Sequence, residues 1–146
     1  MESKAREELT KMRRDYGEVS LDESQIHESG SPFPLFQTWL DEAVAAKVTE
    51  PNAMCLSTVT KENRPASRFV LLKGFTEEGF VWYTNYSSRK GGELEHNPYA
   101  ALTFWWGDLE RSVRVEGKVT KVSTEESDAY CAQRHRGAMI GAHASH

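Results

Sequence analysis

Apolar residues along this 146-residue chain change their spacing, and the changes mark its elements. Between residues 3 and 16, Ala5, Leu9, Met12 and Tyr16 fall at helical spacing among charged neighbours. That stripe is too thin for a core helix and suits an arm that folds onto something else. Residues 17–33 hold Gly17, Gly30, Pro32 and many polar side chains, and read as a linker. After Pro34, apolar positions 35, 36, 39, 40, 43 and 44 trace one face of an amphipathic helix. The period then shortens. Residues 52–60, 66–75 and 80–85 predict three strands, with turns at 61–65 and 76–79, the second closed by Gly79. Aromatic and β-branched residues dominate the third strand, as half-buried pleated surfaces favour. Ser87 and Ser88 predict the cap of a short helix that runs to about His96 and stops at Asn97-Pro98. Tyr99 to Trp106 and Ser112 to Val122 predict two more strands. Thr124 opens a late helix to about Arg136, with Glu125 and Glu126 favourably placed in its first turn and Gly137 ending it. The last segment, Ala138 to His146, reads as helical at its start.

Consecutive strands joined mostly by short turns argue against a parallel βαβ sheet. The pattern predicts a mainly β protein, an antiparallel barrel with flanking helices. Residues 1–33 form the expected arm and linker, and residues 34–146 the expected domain.

Composition narrows the function. A chain of this length buries a core without disulfide or metal staples. Its net charge of −4 argues against a general nucleic-acid binder, whose affinity comes from neutralising phosphates. Cys55 and Cys131 lie far apart and imply two reduced thiols, neither a disulfide framework nor a zinc site. His143 and His146 have no ligating neighbour in sequence, so no metal is expected. No segment is apolar for the length of a membrane span, and the N-terminus mixes both charge signs without an apolar stretch. A cytoplasmic protein with no membrane partner is the expectation. Trp39, Trp82, Trp105 and Trp106 are expected in core or interface, and no Gly-rich phosphate loop, nucleophile elbow or zinc-protease motif occurs.

Against this acidic background two basic clusters stand out. Arg68 and Lys73 lie five apart on one predicted strand, so a regular strand aims them at opposite faces, and a shared ligand requires a twist or bulge. Arg89 and Lys90 fall in the first turn of the predicted short helix, where an anion is favoured and bare cations are not. Both clusters suit a phosphate, and both also suit a solvated surface. Tyr83 and Thr84 end the third strand just ahead of the serine pair, where a threonine hydroxyl can donate to a ligand. Tyr130 and Arg134, four apart, share a face of the late helix. Arg13, Arg14, Asp15 and Tyr16 place arginines on the arm, as a lid or as a solvated helix end.

In order, the segments Arg68-Phe-Val-Leu-Leu-Lys-Gly74, Tyr83-Thr-Asn-Tyr-Ser-Ser-Arg-Lys-Gly91, Arg111-Ser-Val-Arg-Val-Glu-Gly117 and Ile140-Gly-Ala142 with Ser145 resemble the pyridoxamine/pyridoxine 5′-phosphate oxidase family. The resemblance implies an FMN-binding split barrel that works as a homodimer with flavin at the subunit interface. It implies that Arg68, Val70, Leu71, Lys73, Tyr83, Thr84, Ser88, Arg89 and Lys90 line the FMN site. It implies that Lys73, Tyr130 and Arg134 hold the phosphate of a vitamin B6 substrate, covered by the arm from Arg13 to Tyr16. The implied reaction is hydride transfer from the substrate's C4′ carbon to the flavin, with O₂ as the acceptor and H₂O₂ as its product. Three positions depart from the family: Ser112 and Met139 stand where glutamine is usual, and Ala138 where serine is usual. The family also continues beyond the position of His146, with a Gln-Ser pair, a tryptophan and an Arg-x-His segment. The expectation is therefore an oxidase or a short form of one. The alternatives are a non-catalytic FMN-binding split-barrel protein and a truncated subunit that dimerises with a full-length partner.

Overall fold

The computed structural model describes residues 4–13, 21, 30–84 and 88–122, and the backbone of 136–141. The arm begins with α1 (Lys4–Glu8) and a single 3-10 turn over Leu9–Lys11, all of it exposed. This is shorter than the helix predicted to reach residue 16; Arg14, Asp15 and Tyr16 lie outside the described residues. Helix α2 spans Phe33–Ala45 with Pro34 in its first turn, where a missing N–H costs nothing. Five strands and a helix follow: β1 (Ala53–Val59), β2 (Pro65–Leu71), β3 (Gly74–Thr76), β4 (Gly79–Tyr83), α3 (Arg89–His96) and β5 (Tyr99–Trp106). Strands β6 (Arg111–Thr120) and β7 (Arg136–Gly141) complete the sheet.

All seven strands join one antiparallel sheet in the order β2-β1-β5-β6-β7-β4-β3. The two edge strands, β2 and β3, are consecutive in the chain and joined only by Leu72 and Lys73. Such a short link brings the two edges together only if the sheet curls round on itself, which makes it a barrel. The hydrogen bonds follow the crossing. The Leu72 N–H still donates to Asn52 O beside β1 (2.8 Å), while the next N–H, from Lys73, donates to Val81 O on β4 (2.9 Å).

Two expectations are corrected here. The single strand predicted over 66–75 is two strands on opposite edges, because Leu72 turns inward (6% exposed) as the chain changes partners. Arg68 and Lys73 therefore do not share a strand. The helical start predicted for Ala138 onward is instead β7, held between β4 and β6, with Phe80 opposite Ile140 and Val119 also opposite Ile140. A short apolar run such as Ala138-Met139-Ile140 fits either period, and two flanking strands with open backbone groups decide for the strand. The late helix predicted over 124–136 lies outside the described residues up to Arg136, which opens β7.

The core fills the barrel from one side with α2. Phe36 packs its ring 4.8 Å from Phe75, 5.1 Å from Phe80 and 5.3 Å from Phe104, centroid to centroid. Met54, Leu56, Leu102, Trp82 and Trp106 are almost fully buried around it. Trp106 keeps its indole N–H satisfied on Pro51 O at 2.9 Å. Among the described residues no helix is long and apolar enough to cross a membrane.

Candidate functional site

Strand β1 alternates strictly, so Met54, Leu56 and Thr58 all face the interior. The last of these is polar, and a buried hydroxyl needs a partner. Its neighbour across the ladder is β2, where Arg68 stands opposite Leu56 and so points the same way. Arg68 Nη1 donates to Thr58 Oγ1 (2.7 Å) and Leu56 O (3.2 Å). Its Nη2 donates to Glu93 Oε2 on α3 (3.0 Å). Thr58 completes the triangle by donating its hydroxyl to the same carboxylate oxygen at 2.5 Å.

Helix α3 reaches this spot because its start is fixed. Ser88 is the N-cap, and its Oγ accepts from Gly91 N–H at 3.2 Å, as the sequence predicts. Thr84, 6% exposed at the end of β4, sets its hydroxyl 3.4 Å from Ser88 Oγ. From that start, Arg89 and Glu93 are one turn apart, and Arg89 Nε lies 2.8 Å from Glu93 Oε1. That contact is an ion pair without hydrogen-bond alignment, since Glu93 Oε1 has no hydrogen-bond partner among the described residues. One carboxylate, 6% exposed, thus joins two guanidiniums from separate segments. Arg89 itself is 74% exposed, and with Glu93 it lines a surface cleft of about 550 Å³ that also includes Thr60, Lys61, Glu62, Glu95 and His96.

Burial pushes the Glu93 carboxyl up, but hydrogen bonds from Thr58 and Arg68 and the charges of Arg68 and Arg89 outweigh it, leaving the group below its ordinary 4.5. A depressed folded value means that ionised Glu93 stabilises the fold fully above pH 4.5 and progressively less as pH falls below it. The melting-temperature difference between the parent chain and Glu93→Gln is therefore expected to hold steady above pH 4.5 and to shrink in more acidic buffers, as scanning calorimetry can follow.

The sequence-predicted residues divide between places. Arg68 and Arg89 come together through Glu93, with Thr58 bound to both Arg68 and Glu93, and Thr84 and Ser88 meet at the N-cap of the same helix. Val70 turns inward, half-buried against the core, whereas Leu71 is 39% exposed on the outer face of the sheet. Lys73 is exposed at the crossing between sheet edges, and Tyr83 and Lys90 are half-buried at either end of the β4–α3 link. Arg13 is exposed on the arm. Tyr130 and Arg134 lie outside the described residues. Ser112 stands opposite Trp105 on the outer face of β6, away from the arginine cluster of its own chain.

Sequence reasoning missed Thr58 and Glu93. Both left a signal: a threonine in an otherwise apolar alternation, and an acid four residues after an arginine at a helix start.

A curled antiparallel sheet whose edges meet at a two-residue crossing, with helices at its margins, is a split barrel. The chain matches the family model described as "Pyridoxamine 5'-phosphate oxidase" over residues 40–146, and it belongs to that family. It is 50% identical over 137 residues to a pyridoxine/pyridoxamine 5′-phosphate oxidase of Acaryochloris marina, covering 94% of this chain and 62% of the relative. It is 54% identical to the protein of the same name in Paraburkholderia phytofirmans, covering 94% of this chain and 63% of that one. The chain thus spans less than two thirds of the length of these relatives. Among solved structures it resembles PhzG from Burkholderia lata 383, in complex with tetrahydrophenazine-1-carboxylic acid, at a TM-score of 0.70 and 27% identity, covering 75% of this chain and 55% of that one. A pyridoxamine 5′-phosphate oxidase-related, FMN-binding protein from Nostoc punctiforme shares the fold at a TM-score of 0.54 and 20% identity, over 67% of this chain and 55% of that one.

Proposed function

We propose that this chain binds FMN and serves the oxidation of pyridoxamine 5′-phosphate or pyridoxine 5′-phosphate to pyridoxal 5′-phosphate, with O₂ as acceptor. The observation that carries the reading is the arginine pair joined by Glu93 at the capped start of α3. Its donor set fits a phosphate. Arg68, Arg89 and Glu93 together carry one net positive charge, Glu62 and Glu95 lie further along the cleft, and the hydroxyls of Thr84 and Ser88 stand beside the positive end of a helix. On this reading Arg89 and Lys90 bind the phosphate, with Arg68 held behind them and Thr84 and Ser88 as neutral donors. Val70, Leu71, Lys73 and Tyr83 line the remainder. When bound, FMN supplies the two-electron chemistry that no amino-acid side chain provides. The protein's part is to bind, orient and shield.

The substrate's phosphate falls to Lys73, Tyr130 and Arg134, with Arg13 to Tyr16 as its cover. The unit proposed is a homodimer. Phe69 (79% exposed) and Leu71 (39%) on β2 and Trp105 (63%) on β5 lie on the outer face of the sheet, on either side of β1. Contiguous exposed apolar surface of that kind marks an interaction site. Ser112, beside Trp105, then lies on the face turned to the second subunit. A cytoplasmic location belongs to the same reading.

The purified chain is expected to be yellow, or to turn yellow on adding FMN, and to sediment as a dimer. Incubated in air with pyridoxine 5′-phosphate, it is expected to yield pyridoxal 5′-phosphate and peroxide in equal amounts. Flavin uptake without product leaves the non-catalytic reading; no flavin uptake at all overturns both.

A further inference from the structure

We infer that Glu93 is a positioning residue for the cofactor phosphate, holding Arg68 and Arg89 in one fixed relation through its two carboxylate oxygens. The inference rests on the FMN reading above and adds to it a residue on the opposite side of the charge balance. An acid beside a phosphate site is at first sight misplaced, because its charge repels the ligand. The geometry gives it a different task.

Two like-charged guanidiniums repel each other, and an anion between them offsets that repulsion. Oε2 of Glu93 takes Arg68 and Thr58, and Oε1 faces Arg89. Arg68 is then bound on three sides, by Leu56 O, Thr58 Oγ1 and Glu93, which fixes the plane of its guanidinium. Among the described residues Arg89 meets Glu93 through Nε, the inner end of its fork, and the side chain lines the cleft. A long arginine side chain that is 74% exposed loses much rotamer freedom when a ligand captures it. Holding it beforehand at Nε removes part of that loss and so tightens binding. The triangle with Thr58 anchors the carboxylate to the barrel wall, so the helix start and β2 are set with respect to each other by side chains as well as by backbone.

Electrostatics and positioning predict opposite signs, which makes the inference testable. If Glu93 acts only as a nearby negative charge, Glu93→Gln removes a repulsion and FMN binds more tightly. If it positions the arginines, the same variant binds FMN more weakly, on the order of ten- to a hundredfold. The measurement is flavin fluorescence titration of the chain and its Glu93→Gln and Glu93→Asp variants, with FMN and with riboflavin, which carries the same ring and no phosphate. The expected result is weaker FMN binding in Glu93→Gln, riboflavin affinity within about twofold of the parent, and Glu93→Asp intermediate because it keeps the charge on a shorter stem. FMN affinity that is unchanged or tighter in Glu93→Gln overturns the inference. So does an equal fall for FMN and riboflavin, which assigns Glu93 to the fold alone. Should Glu93→Gln not fold, Glu93→Asp carries the same comparison. A parent chain that takes up no FMN overturns the reading beneath; a parent that binds FMN with the variants unchanged overturns only the role of Glu93.

Discussion

Replacing Arg68 by alanine is expected to lower unfolding free energy by about 2–4 kcal/mol and to weaken FMN binding at the same time. Removing one partner of a buried ion pair costs about 3–5 kcal/mol, because the other charge stays behind without compensation. Arg68 is 23% exposed at its side chain, so some solvent screening survives and the expected cost is smaller. What is stranded is specific: Glu93 Oε2 loses its guanidinium donor, and Thr58 and Leu56 O lose theirs. Urea denaturation followed by tryptophan fluorescence measures the loss directly, with Trp82 and Trp106 buried in the core as reporters. Arg68→Lys keeps the charge but not the fork, and it is expected to recover less than half of the stability, since one ammonium cannot reach three acceptors set around a plane. A variant Arg68→Ala as stable as the parent contradicts the cluster as drawn.

Phe36→Ala is expected to cost more, about 3–5 kcal/mol, the range for an aromatic ring deleted from a packed core. Phe36 lies between Phe75, Phe80 and Phe104, with Trp106 at 6.0 Å on its remaining side. These four belong to β3, β4 and β5, so its ring is the point where α2 grips three strands. Edge-on contacts with Phe75 and Phe80, at interplanar angles of 88° and 87°, add to the area buried. Phe36→Leu refills most of the volume and is expected to cost roughly half as much. The same denaturation curves check both, and a loss under about 1 kcal/mol for Phe36→Ala contradicts the packing of α2 against the barrel.

Much of the fold was legible before any coordinates. The apolar face of α2, except for exposed Val44, the presence of β1 and β5 as strands and the turn closed by Gly79 follow from local residue type and spacing, and Ser88 caps α3 as its residue type and position predict. The site was legible in its basic residues, because arginines next to a helix start are conspicuous in an acidic chain. It was not legible in Thr58 and Glu93. A threonine in a strand and a glutamate in a short helix are ordinary by composition, and only their meeting across 35 residues gives them a role. The strand drawn over 66–75 failed for the same reason. Nothing in Val70-Leu71-Leu72-Lys73 breaks the β pattern, yet the chain changes neighbours there.

Local patterning was enough to place α2, β1, β4 and β5, to say where α3 begins, and to show that the chain carries the ordered motifs of its family. Hydrophobic period and capping chemistry are local, and they act through residues within a turn or two of one another. The closed barrel adds what no local pattern holds: β2 and β3 lie on opposite edges of one curled sheet, Arg68 faces inward, and Glu93 stands between Arg68 and Arg89. Those facts depend on how the sheet closes. Closure is set by backbone hydrogen bonds and core packing summed over the barrel, and no stretch of sequence near Glu93 encodes it.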